Sequence, residues 1–241
     1  VLTAHLDTLH TGHHRVYQAL KDDYYWPNMP ADIKRHIDPC EICRKAKVQR
    51  QNLVAAFAQR SMTDLPNPRE AYGIDFYGVE GGEILTAVDL CTREVTMWFC
   101  KTRKQETVAD KLLSGLVFLK GVPVALRSDN APELMKGLVR DICGFLAIDQ
   151  IVTGGHNPKG NSICERVNGT IGAMLRKLDD DKYKRIKEFL PALAFAINTT
   201  HNASIGCTPF EAGHGVKART IAKARLQASM VQATAAGGMD T

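Results

Sequence analysis

The sequence predicts an α/β protein in two parts, a small helical domain over residues 1–47 and a five-stranded mixed sheet flanked by helices over residues 71–216. Three observations predict it. Three strand-like runs follow one another across tight turns, helical and strand-like stretches then alternate, and the first 47 residues hold only short helical runs broken by prolines. At 241 residues the chain has room for one sizeable domain and one small one.

Residues 13–25 and 30–38 read as short helices. They are separated by Trp26-Pro27-Asn28-Met29-Pro30, because proline disfavours a helix running through it. Residues 48–70 are polar with Ala, Gln and two prolines and lack an apolar period, which reads as a linker. Residues 71–79, 83–90 and 94–101 carry β-branched or aromatic residues between turn signals, the first pair joined at Gly81-Gly82, and predict three antiparallel strands. Val108, Leu112, Leu116 and Leu119 fall on one face of a helix over 105–119, which Gly121-Val122-Pro123 stops. A buried strand from Val124, a helix over 133–144 and a short strand near 148–152 follow. A Gly-rich loop over 154–161 and helices over 162–178 and 183–199 complete the domain. Residues 217–241 form an Ala-rich basic tail.

The hydrophobic fraction of 44% and the charged fraction of 24% are ordinary for a globular chain and argue against wholesale disorder. No apolar run approaches the ~20 residues that span a bilayer, so no membrane role is expected. No charged-then-apolar leader precedes the first polar cluster, and the chain reads as a segment of something longer. Net charge is +5, with nine Lys/Arg against six Asp/Glu in residues 1–60 and four against one in 217–241. Basic flanks around a near-neutral body suit contact with nucleic-acid phosphates as well as they suit a solvated surface. Of seven cysteines, five lie scattered in apolar stretches and read as buried thiols of a reducing compartment.

The other two, Cys40 and Cys43, form Cys-x2-Cys. With His5 and His10 upstream they supply the four ligand types zinc takes at tetrahedral structural sites. A module of this size has too little core to be stable alone, so a metal clip supplies what burial cannot. His13 and His14 lie close enough to compete as the histidine half. A second constellation is acidic. Asp75 lies inside an apolar strand where a lone ionised carboxylate is costly, Asp129 stands where the strand from Val124 leaves the sheet, and Glu165 lies on the helix 162–178. That helix shows an apolar stripe Ile163, Val167, Ile171, Leu175, Leu178, with Glu165, Asn168, Gly169, Gly172 and Arg176 on the neighbouring face. Three carboxylates from two strands and a helix can converge on a pair of hard divalent cations, Mg²⁺ or Mn²⁺.

The spacing Asp75, 53 residues, Asp129, 35 residues, Glu165 resembles the D,D-35-E signature of retroviral and retrotransposon integrases. The surrounding text agrees: Ser128-Asp129-Asn130-Ala131-Pro132-Glu133, His156-Asn157-Pro158-Lys159-Gly160-Asn161 and Glu165-Arg166-Val167-Asn168 are similar to the motifs of that family. So are His10-Thr11-Gly12, Tyr24-Tyr25-Trp26-Pro27-Asn28-Met29, Asn198-Thr199-Thr200-His201 and Thr208-Pro209-Phe210-Glu211, whose register favours His5 and His10 as zinc ligands. The match covers about residues 5–215 and is nearest to gypsy-like LTR elements. It implies a ribonuclease-H-like core that processes the 3′ ends of element DNA and joins them to target DNA, with Asp75, Asp129 and Glu165 holding two Mg²⁺ or Mn²⁺ ions. It further implies DNA contacts from Asn130, Lys159, Arg166, Asn168 and Arg176, and a dimer or tetramer cut from a Gag-Pol-like polyprotein. Such a protein works in the nucleus and in a cytoplasmic virus-like particle. Where relatives often carry lysines one and two turns beyond the acidic residue, this chain has Gly169 and Gly172. Other readings of the same residues are a catalytically inactive or host-adopted DNA-binding remnant and a DDE transposase or nuclease. A nucleophilic role for Cys164 lacks a partnering base in the sequence.

Overall fold

The computed structural model describes residues 1–46, 67–152, 162–221, 223–225 and 227–229. Most of the expected linker, the loop 154–161 and the end of the tail therefore lie outside the described residues. The chain divides into two compact units, Val1–Lys47 with Thr199–Thr241, and Val48–Asn198. Among the described residues no helix is long and apolar enough to cross a membrane.

The first unit holds α1 (Leu2–Asp7), α2 (His13–Leu20), α3 (Met29–Ile37) and α4 (Glu41–Lys45). The sequence pattern foresees α2 and α3 but not the one-turn helices α1 and α4, which are too short to show a period. Val16 and Leu20, and Met29, Ile33 and Ile37, recur at i, i+4 and bury one face of each helix together with Ala4; Val1, Tyr17 and Trp26 pack against them. Pro30 opens the first turn of α3, and Asp32 near its start with Lys34, Arg35 and His36 near its end suit the helix dipole. Trp26 Nε1 donates to Asp32 Oδ2 at 3.2 Å, tying the proline-flanked connection to that helix. A further short helix, Pro209–His214, starts at Thr208, whose hydroxyl accepts from the Glu211 N–H.

In the second unit β1 (Ala71–Val79), β2 (Gly82–Asp89) and β3 (Val95–Cys100) form an antiparallel meander, and β4 (Ala125–Ser128) and β5 (Asp149–Val152) add in parallel on the other side of β1. The strand order is β3-β2-β1-β4-β5, the five-stranded mixed sheet expected. One sheet face carries Tyr72, Ile74 and Phe76 into a core shared with the helices that follow β3 and β4. The other face carries Gly73, Asp75 and Tyr77 towards α9 (Ser162–Leu175).

Three expected helices are interrupted. The helix over 105–119 runs as α5 (Gln105–Leu112), a widened π turn (Leu113–Val117) and α6 (Phe118–Lys120). Trp98 of β3 lies so close over Gly115 that a Cβ there would fall 2.3 Å from its Nε1, and the widened turn coincides with that ring. The helix expected over 133–144 splits into α7 (Pro132–Met135) and α8 (Gly137–Phe145). Lys136 is extended and Gly137 has φ +57°, and Gln105 Oε1 accepts from the Leu138 N–H at 3.0 Å in the gap. The stretch 183–199 likewise resolves into α10 (Asp180–Lys184), capped by Asp179, and α11 (Ile186–Asn198). At the end of α11 the Asn198 amide accepts from Val95 N–H and donates to Val95 C=O, both at 2.8 Å, which satisfies the backbone of the edge strand β3.

Candidate metal centre and carboxylate site

The four sulfur and nitrogen ligands expected in the helical unit come together: donor atoms of His5, His10, Cys40 and Cys43 all lie within 4.8 Å of one another. His10 Nδ1 is 3.2 Å from His5 Nε2 and 3.3 Å from Cys40 Sγ, and Cys43 Sγ is 3.4 Å from His5 Nε2 and 4.0 Å from His10 Nδ1. A tetrahedral ion with Zn–N of about 2.0–2.1 Å and Zn–S of about 2.3 Å sets ligand-to-ligand edges of roughly 3.3–3.8 Å, so the set fits zinc. His5 is 1% exposed, and its Nδ1 lies 3.0 Å from the Thr11 carbonyl. Donation there places the proton on Nδ1 and leaves Nε2 with its lone pair towards the metal. Leu9 and His10 turn back through the left-handed region, with φ of 52° and 59°, and His10 N–H donates to the His5 carbonyl at 2.8 Å. That turn brings the second histidine to the first and removes it from any helix shared with His14. His13 and His14 stay exposed on α2.

The acidic residues are positioned by two registers. Parallel pairing of β1 with β4 sets Ala71 opposite Ala125 and Gly73 opposite Arg127, so Asp75 and Asp129 each lie two residues beyond the same pair. The interval of 54 positions between them is the register itself. On α9, Cys164, Asn168 and Gly172 recur every four residues, about 6 Å along the helix axis, while Gly73, Asp75 and Tyr77 recur every two, about 6.6 Å along the strand. The two periods nearly match and the residues meet in pairs. A Cβ at Gly73 would fall 2.4 Å from Cys164 Sγ, Asn168 Nδ2 donates to Asp75 Oδ2 at 2.9 Å, and a Cβ at Gly172 would fall 2.5 Å from the Tyr77 hydroxyl. Glu165 follows Cys164 and emerges exposed beside Asp75. The buried positions of α9 are thus Cys164, Ile171, Gly172, Met174 and Leu175. The stripe expected through Ile163 and Val167 is rotated, because the two glycine contacts, invisible to a hydrophobicity pattern, draw that face against the sheet.

Burial pushes the Asp75 carboxyl up from its ordinary range. The Phe76 N–H, which donates to Oδ1 at 2.8 Å, opposes this, the negative charges of Asp129 and Glu165 add to it, and the Asn168 amide lowers it again. The charges of Asp129 and Glu165 therefore both reach Asp75, although among the described residues the His/Cys set is the one group close enough to share an ion as it stands. Asp129 is exposed, with Oδ1 accepting from Ala131 N–H at 3.2 Å in an Asx turn. Asp89 shows the contrast. It is 0% exposed, yet its oxygens accept from Arg69, Cys91 and Thr92 N–H groups at 2.7, 2.8 and 3.2 Å, which makes it a structural clasp of the β2–β3 turn.

Asn130, Arg166 and Arg176 are exposed, and Asn168 is half-buried with its amide directed to Asp75. Lys159 lies outside the described residues. Residues the motifs did not single out also border the site. Arg93 is half-buried, held below the usual arginine range first by burial and then by the charge of Arg166. Arg103 pairs with Glu83 and lies 4.8 Å over the Phe76 ring, where the charges of Glu133 and Asp129 also reach it. Alternation of 73, 75 and 77 against 164, 168 and 172 was the signal that could have found Tyr77. Cys164 is 1% exposed, and burial pushes its thiol up to about 12, which removes it as a nucleophile.

Residues 1–49 match the integrase zinc-binding domain family. Over 208 residues, 83% of this chain, the sequence is 25% identical to Gypsy retrotransposon integrase-like protein 1 of Bos taurus, of which the match covers 40%. Over 222 residues, 87% of the chain, it is 26% identical to the Pol polyprotein of Radiation murine leukemia virus (strain Kaplan), covering 38% of that protein. Among solved structures, the simian T-cell lymphotropic virus intasome in complex with PP2A regulatory subunit B56 gamma matches with a TM-score of 0.62 at 20% identity. That match covers 91% of this chain and 74% of the other. The resemblance to gypsy-like integrases and the ribonuclease-H-like fold with its helical zinc module are thereby borne out. The chain spans about 40% of the gypsy relatives it matches.

Proposed function

We propose that this integrase-homologous chain is the integrase of a retroelement polyprotein, a polynucleotidyl transferase and endonuclease. It trims the 3′ ends of element DNA and joins each 3′-hydroxyl to a target phosphodiester at the same site. The observation that carries this reading is the shared β1–β4 register that sets Asp75 and Asp129 at corresponding positions, with the charges of Asp129 and of Glu165 on α9 both reaching Asp75. Their hard oxygen donors suit Mg²⁺ or Mn²⁺, and two such ions, when bound, would activate the attacking oxygen and stabilise the leaving one. The chain's own residues orient the site. The Phe76 N–H and the Asn168 amide each hold one Asp75 oxygen, and the Ala131 N–H fixes one oxygen of Asp129. Asn130, Lys159, Arg166 and Arg176 supply donors for the DNA backbone, which takes a large share of contacts in such interfaces. In this reading the protein works in the nucleus as a dimer or larger assembly, delivered by a cytoplasmic virus-like particle.

The test is Mg²⁺- or Mn²⁺-dependent joining of a labelled, recessed DNA end into plasmid, comparing the full chain with Asp129→Asn and Glu165→Gln. Joined product from the unaltered chain alone, with zinc content and helicity equal in all three, is the expected result. Cleavage without joining would replace integrase with nuclease. DNA binding without reaction in any variant would leave a non-catalytic DNA-binding remnant.

A further inference from the structure

On the strand face that carries Asp75, the next side chain is Tyr77, about 6.4–6.8 Å further along β1. Its hydroxyl meets α9 at Gly172, where a Cβ would lie 2.5 Å from the phenol oxygen and 3.5 Å from Arg176 Nη1. The Tyr77 hydroxyl and the Arg176 guanidinium therefore both border Gly172, and the missing side chain there is what admits the hydroxyl. Arg176 is exposed and Tyr77 half-buried. Among the described residues no carboxylate pairs with Arg176 and no acceptor takes the Tyr77 hydroxyl. Two unused donors bordering the same glycine, with Asp75 on the same strand face only two positions away, can form a receptor for an anion that runs past the carboxylates. A nucleic-acid backbone is such an anion.

We propose that Tyr77 and Arg176 form a clamp for a single DNA phosphate, the one next along the strand from the phosphate that reacts at Asp75. This rests on the integrase reading for the identity of the anion. Arg176 supplies charge and direction, and Tyr77 supplies a hydroxyl that selects the position of the phosphate oxygen. Gly172 then has a role that any larger residue destroys, since a methyl group there displaces the Tyr77 ring.

The experiment measures binding of the full chain to a short duplex and to copies carrying one neutral methylphosphonate at each successive step from the reactive phosphate. Arg176→Ala is expected to bind the ordinary duplex about tenfold more weakly and to lower the salt slope by about one. Tyr77→Phe keeps the ring packing and is expected to lose about three- to tenfold without changing the slope. Both penalties should vanish on the same methylphosphonate duplex, the one neutralised at the step next to the reactive phosphate, and Gly172→Ala should reproduce the Tyr77→Phe loss with both donors intact. Penalties that persist on every neutralised duplex, or a Tyr77→Phe variant that binds as the unaltered chain does, overturn the clamp. A clamp that behaves as expected in a chain with no metal-dependent joining overturns the integrase reading and leaves the clamp standing. No DNA binding by the unaltered chain overturns both.

Discussion

Gly73→Ala perturbs the carboxylate site without touching a carboxylate. A Cβ at Gly73 would fall 2.4 Å from Cys164 Sγ, against an ordinary non-bonded separation of about 3.5–4.0 Å, so at least about 1 Å must be found. Cys164 is 1% exposed and closed in by the sheet, so the displacement passes to α9 and carries Glu165 away from Asp75. Overpacking of this kind costs about 1–3 kcal/mol of stability. A misplacement of about 1 Å in reacting groups costs on the order of 100-fold in rate. Urea unfolding monitored by circular dichroism reads the first quantity, and Mn²⁺-dependent strand joining reads the second. Cys164→Ala removes the sulfur atom and makes room for the new methyl group. The double variant Gly73→Ala/Cys164→Ala should therefore recover most of the joining rate and part of the stability, with a favourable coupling of about 1 kcal/mol or more. Unchanged joining in Gly73→Ala, or a double variant no better than the single, would refute the argument that this contact sets the position of Glu165.

The remaining expectations use other parts of the molecule. A strong chelator or Cys40→Ser should release zinc and unfold the helical unit, seen as loss of metal by atomic emission and loss of helical dichroism; a unit that stays folded without metal would contradict the role given to the His/Cys set. Asp89→Asn turns an amide donor towards backbone N–H groups that need an acceptor and should cost about 1–3 kcal/mol in urea unfolding, with little effect on zinc content. Alkylation at pH 8 followed by peptide mapping should leave Cys164 unmodified in the folded chain, because its buried thiol is raised to about 12. Label at Cys164 before unfolding would show that α9 opens readily from the sheet.

Much of the architecture was legible in the chain. The bounds of β1 follow from its own apolar and β-branched run between turn signals, and the strand expected near 148–152 agrees with β5 to within a residue. Interruptions were not legible, because each is made by a residue from elsewhere: Trp98 over Gly115, and Gln105 in the gap at Gly137. In the same way, the left-handed turn at Leu9 and His10 decides between rival histidines only once Cys40 and Cys43 have arrived beside it.

Ligand types and their spacing are already present in the chain, since 54 positions from Asp75 to Asp129 become a shared register once two parallel strands pair. Periodicity also determined which stretches are helix or strand, because an apolar face repeats locally. Which face of α9 meets the sheet is set by packing between distant segments. That choice rests on two absent side chains, at Gly73 and Gly172, and on what fills the space they leave. Close approach is a property of pairs of distant residues, and hydrophobic patterning, which scores one residue at a time, carries no record of it.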